Sequence, residues 1–495
     1  MGGTASAEEE PLPPRVGKTK TVGANFASTI PAMEASTLET VTGFTSGSLI
    51  LENPGRSITA DYDVFHDKVL GEGGYGLVVL AEHKHTRAQR AIKQVNKAKV
   101  KDPAALKAEI DVMKMTDHPN IVKLYESYED KKKIYLVMEC CEGGELFDRI
   151  VDSGKLSEED SAVVMRQLLR AVRYLHNIRM VHRDLKPENI IFVKKKGVAE
   201  TPMKIIDFGL AEVIPEGQTR SECKGSSYYM APETLAQKYG LEIDVWACGI
   251  ILFILLTGTP PFYGNNDSET YKSIRRDPLR FDRDLWGGVS KEAQDFIRKM
   301  LRREIRTRIT AAQATVDPWI LKHSQVPKNL FAEPDLDRVL LWQAKTPRLA
   351  KAAMEVIVLR LSEKDIKPMK DLFLNIDVVD GGGGTISSDE IEVAAKAMPR
   401  AKVEQVMQEM GAAQMTYTEF LASAMDRERF LQQTHIQLAF DVFDRKGAGV
   451  LSADSLTEIF GPAAVEIVQD ARAALGLAQD TRMSKEDFGR LLKMK

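Results

Sequence analysis

The fold of this chain is decided by the stretch Val181-His182-Arg183-Asp184-Leu185-Lys186-Pro187-Glu188-Asn189, and Asp207-Phe208-Gly209 begins 18 residues after its end. The first stretch places a carboxylate, an ammonium group and an amide within six residues, and the second adds a carboxylate beside a glycine. Transfer of a phosphoryl group requires an in-line hydroxyl, neutralised phosphate charge and bound magnesium ions. The two stretches together therefore predict phosphoryl transfer.

The side chains of these stretches have roles that follow from their chemistry. We expect Asp184 to accept or orient the proton of the substrate hydroxyl, and Lys186 to offset charge on the moving γ-phosphoryl group. Asn189 and Asp207 carry the oxygen ligands that Mg²⁺ prefers. A lone Asp-Phe-Gly recurs by chance, whereas an Asp-x-x-x-x-Asn spacing followed by this tripeptide at this distance is specific.

Length and composition restrict the class of protein. A chain of 495 residues is expected to hold about two to four domains. The net charge of −3 argues against nucleic acid as a partner. The four cysteines lack the spacing of a disulfide framework or a metal site, and they predict a reducing, cytoplasmic setting. The most apolar run, residues 245–256, is too short to cross a bilayer and is interpreted as a buried helix.

The N-terminal stretch has the composition of a tail. Residues 1–60 are rich in small and polar residues, which predicts a flexible segment with one short strand near residues 48–51. The chain begins Met1-Gly2-Gly3-Thr4-Ala5-Ser6, which matches the N-myristoylation pattern with Gly2 as acceptor. An initiator methionine followed by a small residue, without any acylation, is the alternative interpretation of the same sequence. A single acyl chain binds membranes only marginally, so any membrane association is expected to be weak and peripheral.

The stretch 69–80 predicts a strand, a glycine-rich turn and a second strand. Its glycines allow backbone amides to approach phosphates closely. A dinucleotide-binding fold has the same glycine spacing but continues as a helix, whereas Val78-Val79 is typical of a strand. The pattern favours a loop folded over ATP phosphates. The expected nucleotide contacts are Leu70, Gly71, Glu72, Gly73, Gly74, Tyr75, Gly76 and Val78.

The next strand carries the lysine of the nucleotide site. It contains Ala91-Ile92-Lys93, and Lys93 suits contact with the α- and β-phosphates. Glu109, in a helical stretch, is the expected partner that orients Lys93. A further strand at residues 134–139 leads into a hinge whose backbone would bind adenine. The expected lining of the adenine pocket is Ala91, Met138, Glu139 and Cys141.

Residues 63–320 resemble the eukaryotic protein kinase family at each of these motifs and also at Ala231-Pro232-Glu233, Asp244 and Arg308, which is expected to pair with Glu233. Lys186 after the catalytic aspartate is typical of Ser/Thr rather than Tyr kinases. The order of kinase region, junction helix and helical repeats resembles the calcium-dependent protein kinases of plants and protozoan parasites. The resemblance implies an α+β, bilobal protein kinase fold followed by an all-α EF-hand-like domain, with ATP and Mg²⁺ as cofactors. It also implies a monomer that acts on protein substrates.

The expected domains are a tail at 1–60, a kinase domain at 61–322, a junction and autoinhibitory helix at 328–361, and a calmodulin-like domain at 362–495. The junction includes a basic amphipathic stretch of the kind that calmodulin binds. Such a helix could lie across the kinase cleft as an autoinhibitor. The alternative is a packed linker helix.

Two further expectations depend on charge. Glu145 and Glu188 lie where this family recognises basic residues, so the resemblance implies Arg or Lys N-terminal to the phosphorylated residue; the alternative is two solvated surface acids. Glu222 lies three residues before Gly225-Ser226, where loop-phosphorylated kinases carry a phosphothreonine. A carboxylate at this position would attract the Arg183 guanidinium as the phosphate of a phosphothreonine does. We therefore expect activity without loop phosphorylation.

The C-terminal third contains an internal repeat of a hydrophobic residue, then Ser or Thr, then an acid or serine. The hydrophobic residues are Ile386, Met415, Leu451 and Met483, which predicts four EF-hands in two strand-bridged pairs. A calcium loop needs oxygen ligands at positions 1, 3, 5 and 12 with glycine at position 6. The last three copies lack most of these ligands, and the third has Lys446 at a ligand position. The first offers Asp377, Asp380, Thr385 and Glu390, with Asp377 two residues too early.

We expect an active Ser/Thr kinase regulated by intramolecular contact with a calmodulin-like domain that binds Ca²⁺ weakly or not at all. Two alternatives stay open at this point. One is a calcium-activated kinase that uses the first EF-hand, and the other is a pseudokinase scaffold. Every catalytic position carries the required residue type, which argues against the scaffold.

Overall fold

The computed structural model of the 495-residue chain describes residues 21–22, 46–73, 76–323, 333–377, 381–411, 413–478 and 481–494. A two-lobed α+β unit is followed by an all-α unit, which confirms the expected fold class. Within the described ranges, no helix combines the length and the apolar character needed to cross a membrane.

The small lobe is built on a six-stranded sheet. The first described strand of the chain, β1 (Thr21–Val22), lies outside this sheet and pairs with a strand of the large lobe. The sheet contains β2 (Leu51–Pro54), β3 (Tyr62–Gly73), β4 (Gly76–His83), β5 (Gln89–Asn96), β6 (Leu124–Glu129) and β7 (Lys133–Glu139). Its order is β2-β6-β7-β5-β4-β3, and only the β2–β6 pair is parallel.

One helix of the small lobe, α1 (Pro103–Met115), lies between β5 and β6 in the chain. The carboxylate of Asp102 accepts hydrogen bonds from the N–H groups of Ala104 and Ala105, at 2.9 and 3.0 Å. Proline at the first helical position needs no hydrogen-bond partner for its nitrogen. The Asp102 cap and the proline at the first helical position favour the start of a helix here, and this helix carries Glu109.

Residues 46–60 are folded. The short strand expected near residues 48–51 lies at Leu51–Pro54 as β2, whereas the flexible character expected for the rest of this stretch is corrected. β2 adds in parallel to β6, and the buried Leu49 and Ile50 precede it. Leu49 packs in the core of the C-terminal unit, whereas Ile50 packs in the kinase core. These partners are distant in sequence, so no local pattern reveals them. Gly2, like the rest of residues 1–20 and 23–45, lies outside the described residues.

The large lobe is organised around a buried helix, as the apolar run at 245–256 predicted, and every residue of α5 from Ile243 to Thr257 is buried. The pair between Glu233 and Arg308 is also confirmed, with Nη2 of the arginine 3.0 Å from Oε2. The elements of this lobe are α2 (Leu146–Ser153), α3 (Glu158–Asn177), β8 (Met180–Val181), β9 (Ile190–Phe192), β10 (Met203–Ile205), β11 (Glu212–Val213), β12 (Gly225–Ser226), α4 (Pro232–Leu235), α5 (Glu242–Thr257), α6 (Asp267–Arg276), α7 (Arg283–Trp286), α8 (Lys291–Met300), α9 (Ala311–Thr315) and α10 (Pro318–Lys322).

The C-terminal unit contains four helix–strand–helix repeats. The strands meet in two antiparallel pairs, with Ile386 opposite Met415 and Leu451 opposite Met483, which confirms the expected EF-hand pairing. The elements are α11 (Glu333–Lys345), α12 (Arg348–Arg360), α13 (Glu363–Ile376), β13 (Thr385–Ile386), α14 (Ser388–Ala394), α15 (Arg400–Met410), β14 (Met415–Thr416), α16 (Tyr417–Ala424), α17 (Arg427–Phe430), α18 (Gln433–Phe443), β15 (Val450–Leu451), α19 (Ala453–Phe460), α20 (Ala464–Leu475), β16 (Met483–Ser484) and α21 (Lys485–Leu492).

The junction segment forms the core of this unit instead of lying across the kinase cleft. It is broken into α11 and α12 at Pro347, since a proline disfavours helical geometry in the residue before it. Every residue of α12 from Leu349 to Arg360 is buried, and α16, α18, α20 and α21 all contact this helix. The autoinhibitory placement is therefore corrected, and the packed alternative describes the structure. Burial lowers the pKa of Lys351 on α12 to about 8.

The repeated Ser/Thr signal begins the second helix of every EF-hand-like repeat. In each copy, the Ser or Thr side chain accepts from a backbone N–H three residues on, and the side chain found there bonds back to the backbone. This reciprocal capping box needs no metal ion. The capping pairs are Ser387 with Glu390, Thr416 with Glu419, Ser452 with Ser455, and Ser484 with Asp487.

Candidate active site

A buried carboxylate holds the backbone of the catalytic loop between β8 and β9. Asp244, near the start of α5, accepts hydrogen bonds from the N–H of His182 at 2.9 Å and the N–H of Arg183 at 3.1 Å. Arg183 has a φ of +69°, a left-handed conformation that costs a residue with a Cβ roughly 1–2 kcal/mol. The bonds to Asp244 stabilise this conformation, which leads directly into Asp184.

The predicted catalytic residues meet around the carboxylate of Asp184. Its Oδ2 lies 2.9 Å from Lys186 Nζ and accepts a hydrogen bond from Asn189 Nδ2 at 3.2 Å. Its Oδ1 accepts from Ser226 Oγ at 2.8 Å, and Lys186 Nζ donates to the same hydroxyl at 3.0 Å. An alcohol oxygen is thus held by both the acid and the ammonium group. Ser226 is a site residue that sequence reasoning did not assign, although Gly225-Ser226 was the available signal.

The lysine of β5 is held by the glutamate of α1, as predicted. Lys93 Nζ lies 2.6 Å from Glu109 Oε1. The Asp207-Phe208-Gly209 turn lies next to this pair, because a Cβ added to Gly209 would be 3.8 Å from Glu109 Oε2. Phe208 is buried with its ring 5.1 Å from that of His182. This packing connects the turn to the catalytic loop.

The oxygen groups expected to hold magnesium fit that ion. Asn189 uses its amide nitrogen to donate to the main-chain oxygen of Asp184 at 2.8 Å, so Oδ1 is the atom that would face a metal. Asp207 is exposed, and its Oδ1 accepts from Gly209 N at 2.9 Å. Mg²⁺ is usually bound by one or two protein oxygens together with phosphate oxygens. When bound, the ion would neutralise charge on the phosphates.

The glycine-rich turn is only partly described. Gly76 pairs closely with β5, because an added Cβ would lie 1.9 Å from the main-chain oxygen of Gln94. Glycine is therefore required there for strand packing. The flanking Leu70 and Val78 are partly buried, and Gly71 and Glu72 lie on β3. Gly73 ends that strand, whereas Gly74 and Tyr75 lie outside the described residues.

The residues expected to line the adenine pocket lie on β5, on β7 and in the hinge. Ala91 pairs with Met138, and both are buried. Glu139 lies at the end of β7. Its carboxylate lies 2.5 Å from Lys204 Nζ, and its N–H donates to the main-chain oxygen of Lys123, the residue before β6. Burial raises the pKa of the Cys141 thiol well above its usual value, which suits packing.

Arg183 is held by acids of the activation segment. Its Nη1 lies 3.4 Å from Glu222 Oε2, which places the predicted partner beside it, and 2.9 Å from Glu212 Oε2. Lys224 Nζ is 2.7 Å from Glu222. Burial opposes ionisation of Glu222, but the hydrogen bond and charge of Lys224, with the charge of Arg183, lower its pKa below the ordinary value. Glu212 and Lys224 were not predicted at this site, because no sequence motif distinguishes them.

Glu145 and Glu188, the two acids expected to bind basic residues of the substrate, are on neighbouring segments. Glu145 immediately precedes α2, and Glu188 lies in the 3₁₀ turn Pro187–Asn189 that α2 contacts. Both side chains are partly buried. The two acids therefore lie on segments that contact each other, and Glu188 is in the catalytic loop itself, four residues after Asp184.

Residues 65–320 match the family model described as Protein kinase domain. The chain is 38% identical over 429 residues to Calcium-dependent protein kinase 5 of Plasmodium falciparum, covering 85% of this chain and 74% of that protein. It is 34% identical over 461 residues to Calcium-dependent protein kinase 7 of Arabidopsis thaliana, covering 90% and 85%. The chain belongs to the calcium-dependent protein kinase family. It is a protein serine/threonine kinase, and the family implies ATP and Mg²⁺.

In this calcium-dependent protein kinase, two described carboxylates of the EF-hand-like loops accept hydrogen bonds from backbone N–H groups. Both oxygens of the buried Asp377 accept from Gly384 N at 3.2 Å. Asp444 in the third loop accepts from Ala448 N at 2.8 Å and Gly449 N at 2.7 Å. Of the other candidates in the first loop, Thr385 bonds Gln414, Glu390 belongs to a capping box, and Asp380 lies outside the described residues.

The calmodulin-like domain is docked on the kinase domain at the end of α12. Arg90 on β5 donates from Nη2 to the main-chain oxygens of Leu359 at 3.1 Å and Leu361 at 3.2 Å. A cation at a helix C-terminus satisfies its free carbonyls and interacts favourably with the helix dipole. The guanidinium also lies 4.0 Å from the ring centroid of Tyr125, which packs in the C-terminal core.

A second contact joins the segment after α1 to α16. Asp117 accepts from Thr418 N at 3.0 Å and Thr418 Oγ1 at 2.7 Å, and it lies 3.0 Å from Lys123 Nζ. Although burial opposes ionisation, the charge of Lys123 and the hydrogen bonds from Thr418 hold the pKa of Asp117 below its ordinary value. The contact is a buried, ionised carboxylate shared between the two domains.

A third contact places the first EF-hand-like loop against the kinase helix α3. Gly382 and Gly384 have φ values of +85° and +82°. A Cβ on Gly382 would lie 2.6 Å from Arg170 Nε, and one on Gly384 would lie 2.8 Å from Tyr174 Cδ2. Glycine is required at both positions by conformation and by close approach. The loop that would enclose calcium is thus part of the docking surface.

Replacing Asp184 with asparagine is expected to abolish most phosphoryl transfer, because the group that orients the substrate hydroxyl is lost. Loss of a positioned acid–base group typically lowers kcat by about 10²–10⁴. The measurement is initial-rate transfer of the γ-phosphate to a peptide, alongside ATP binding, which should persist. Asp282→Asn changes an exposed acid remote from the site and should keep full activity. Undiminished turnover in Asp184→Asn would contradict the assignment.

Proposed function

We propose that this kinase phosphorylates serine or threonine in proteins near basic residues, and that its calmodulin-like domain acts as a clamp that does not require calcium. The observation that supports the clamp most is the buried Asp117, whose carboxylate holds Thr418 of the calmodulin-like domain and Lys123 of the kinase domain. Charge-assisted hydrogen bonds away from water are among the stronger polar contacts. Together with Arg90 on the end of α12, they join the domains through protein atoms alone.

The composition of the loops supports independence from calcium. A loop binds Ca²⁺ by surrounding it with six to eight oxygen ligands. In the third loop, Lys446 occupies a ligand position and is exposed, and an ammonium group there would repel the ion. In the first loop, Asp377 already bonds Gly384 N, and the glycines beside it pack on the kinase domain. Calcium entry there would have to displace a contact between domains.

The clamp is expected to respond to Thr418→Val and not to calcium. Valine keeps the volume of threonine but loses the hydroxyl that Asp117 accepts from, at a cost of about 1.5–3 kcal/mol for a hydrogen bond to a charged group. A protease site replacing residues 325–331 allows the folded chain to be cut, and the dissociation constant of the two pieces is then measured in calcium and in chelator. Thr418→Val should weaken association by about ten-fold or more.

The matched control is Thr457→Val, which changes an exposed threonine on α19 and should leave the dissociation constant unchanged. Uncut protein should have equal kinase activity in calcium and in chelator, since a ligand shifts a conformational equilibrium only through differential affinity. Tight calcium binding at two or more sites in titration calorimetry, or strong stimulation by calcium, would refute the proposal and favour the calcium-activated alternative.

The substrate preference is expected to depend on Glu145 and Glu188. Each glutamine replacement should lower kcat/KM by about ten-fold for a peptide with arginine N-terminal to its serine, because a charge-assisted bond is lost. The same replacements should have little effect on a peptide with alanine in place of arginine. The two enzymes and two peptides form a double-mutant cycle, which isolates the energy of the contact between the acid and the arginine. Glu292→Gln, at an exposed acid on α8, is the control. A peptide-array profile without basic preference would remove the proposal.

Activity without phosphorylation of the activation segment is expected from the Glu222–Arg183 contact. Phosphatase-treated protein should retain its activity. Glu222→Gln should lower kcat by at most about five-fold, because partly exposed ion pairs contribute ~0.2–1 kcal/mol. Glu216→Gln, an exposed acid of the same segment, should have no effect. Loss of activity on phosphatase treatment that maps to Thr219 or Ser221 would show that the carboxylate does not replace a phosphate.

A further inference from the structure

A short piece of the N-terminal stretch lies at the mouth of the active site. β1 pairs antiparallel with β12, with Thr21 opposite Ser226 and Val22 opposite Gly225. Residues directly opposite in such a pair have Cα atoms about 4.5–5.5 Å apart. Ser226 is the residue whose hydroxyl bonds both Asp184 and Lys186. The backbone of β1 is therefore one strand spacing away from the residue that contacts the catalytic aspartate.

The strand β12 lies against the catalytic loop, and its edge can bind an extended peptide. Gly225 has a φ of +122°, and an added Cβ would lie 2.7 Å from the main-chain oxygen of Arg183, so this strand packs directly on the catalytic loop. Among the described strands, β12 pairs with β1 alone. A strand with an open edge is a template for an added extended peptide, which gains main-chain hydrogen bonds. A protein substrate that brings its hydroxyl to Asp184 would pass along the same edge.

We propose that the segment containing Thr21 and Val22 is an intramolecular ligand of the substrate groove, where it competes with protein substrates for the edge of β12. The residues before it have a suitable composition, because Arg15, Lys18 and Lys20 supply basic charge N-terminal to Thr21. This second argument rests on the proposed preference for basic substrates. The strand pairing is independent of that preference, since it uses backbone atoms.

Covalent attachment makes such a weak contact effective. A two-residue strand pair has little affinity as a separate peptide, but covalent attachment through a linker long enough to span the two sites raises the effective concentration of such a ligand, up to about the millimolar range. Residues 23–45 separate Val22 from Ser46, and a chain of that length reaches up to roughly 80 Å. The expected consequence is a raised KM for protein substrates with an unchanged kcat, because a competitor is displaced when substrate saturates the groove.

The test removes the main-chain donors of β1 in the full chain. Proline has no N–H, so the double variant Thr21→Pro/Val22→Pro cannot form the strand pair. The matched control, Ala5→Pro/Ser6→Pro, places the same two prolines in the N-terminal stretch away from the pair. The first readout is hydrogen exchange in the peptide that spans Gly225 and Ser226. We expect faster exchange in the Thr21/Val22 variant than in the parent and the control.

The second readout is steady-state kinetics with a basic peptide. The Thr21/Val22 variant should have a KM lower by at least about three-fold at unchanged kcat. A synthetic peptide of residues 13–25, added to that variant, should raise the KM again in a competitive pattern, whether or not it becomes phosphorylated. Equal exchange and equal KM in the variant and the control would overturn the proposal. If the Thr21/Val22 variant exchanges faster but the kinase shows no preference for basic peptides, the pairing of β1 with β12 is supported and only the proposed substrate preference is refuted.

Discussion

The active site depends on a buried carboxylate that accepts hydrogen bonds from backbone N–H groups. Asp244, on the core helix α5, is 1% exposed and holds the N–H groups of His182 and Arg183. A buried N–H without a partner is costly, whereas one that donates to a carboxylate makes a strong bond. Because Arg183 is left-handed, the direction of the chain into Asp184 follows from this contact. The catalytic aspartate is therefore positioned from the buried core helix of the large lobe.

The same combination of carboxylate and backbone N–H recurs where the two domains meet. Asp117 holds the N–H of Thr418, and inside the EF-hand-like loops Asp377 and Asp444 hold glycine or alanine N–H groups. In a calcium loop, the ion satisfies and orders the acidic side chains. Here hydrogen bonds within the protein satisfy them. These hydrogen bonds support the proposal that the clamp does not require calcium.

Docking also changes what the junction helix does. With α12 enclosed by the EF-hand-like helices and capped by Arg90, this segment is a structural link between kinase domain and calmodulin-like domain. Leu49, from the stretch before β2, packs into the same core. The kinase domain, the junction and part of the N-terminal stretch therefore share buried surface. Arg90, which makes one of these contacts, lies on β5, the strand that also carries Lys93.

Residues are predictable from the sequence where the chemistry allows few alternatives. The positions of Asp184, Lys186 and Asn189, and the Lys93–Glu109 pair, followed from spacing, because phosphoryl transfer needs those groups. The EF-hand pairing followed from a repeated capping signal. Ser226 and Glu212 belong to no assigned motif, and they gain their roles only from the side chains that the fold brings next to them. A short strand near residues 48–51 was predicted, but its partner β6, which is some seventy residues away, was not.

The reaction, the kinase fold and the presence of four EF-hand-like repeats follow from the sequence, because they depend on side-chain chemistry and on short periodic patterns. The place of α12 in the core of the C-terminal unit follows only from the three-dimensional packing, since the same basic amphipathic pattern suits a helix that blocks the cleft. This packing also determines where the N-terminal strands lie, because a strand's partner is chosen by distant backbone groups. Local sequence carries no record of those groups.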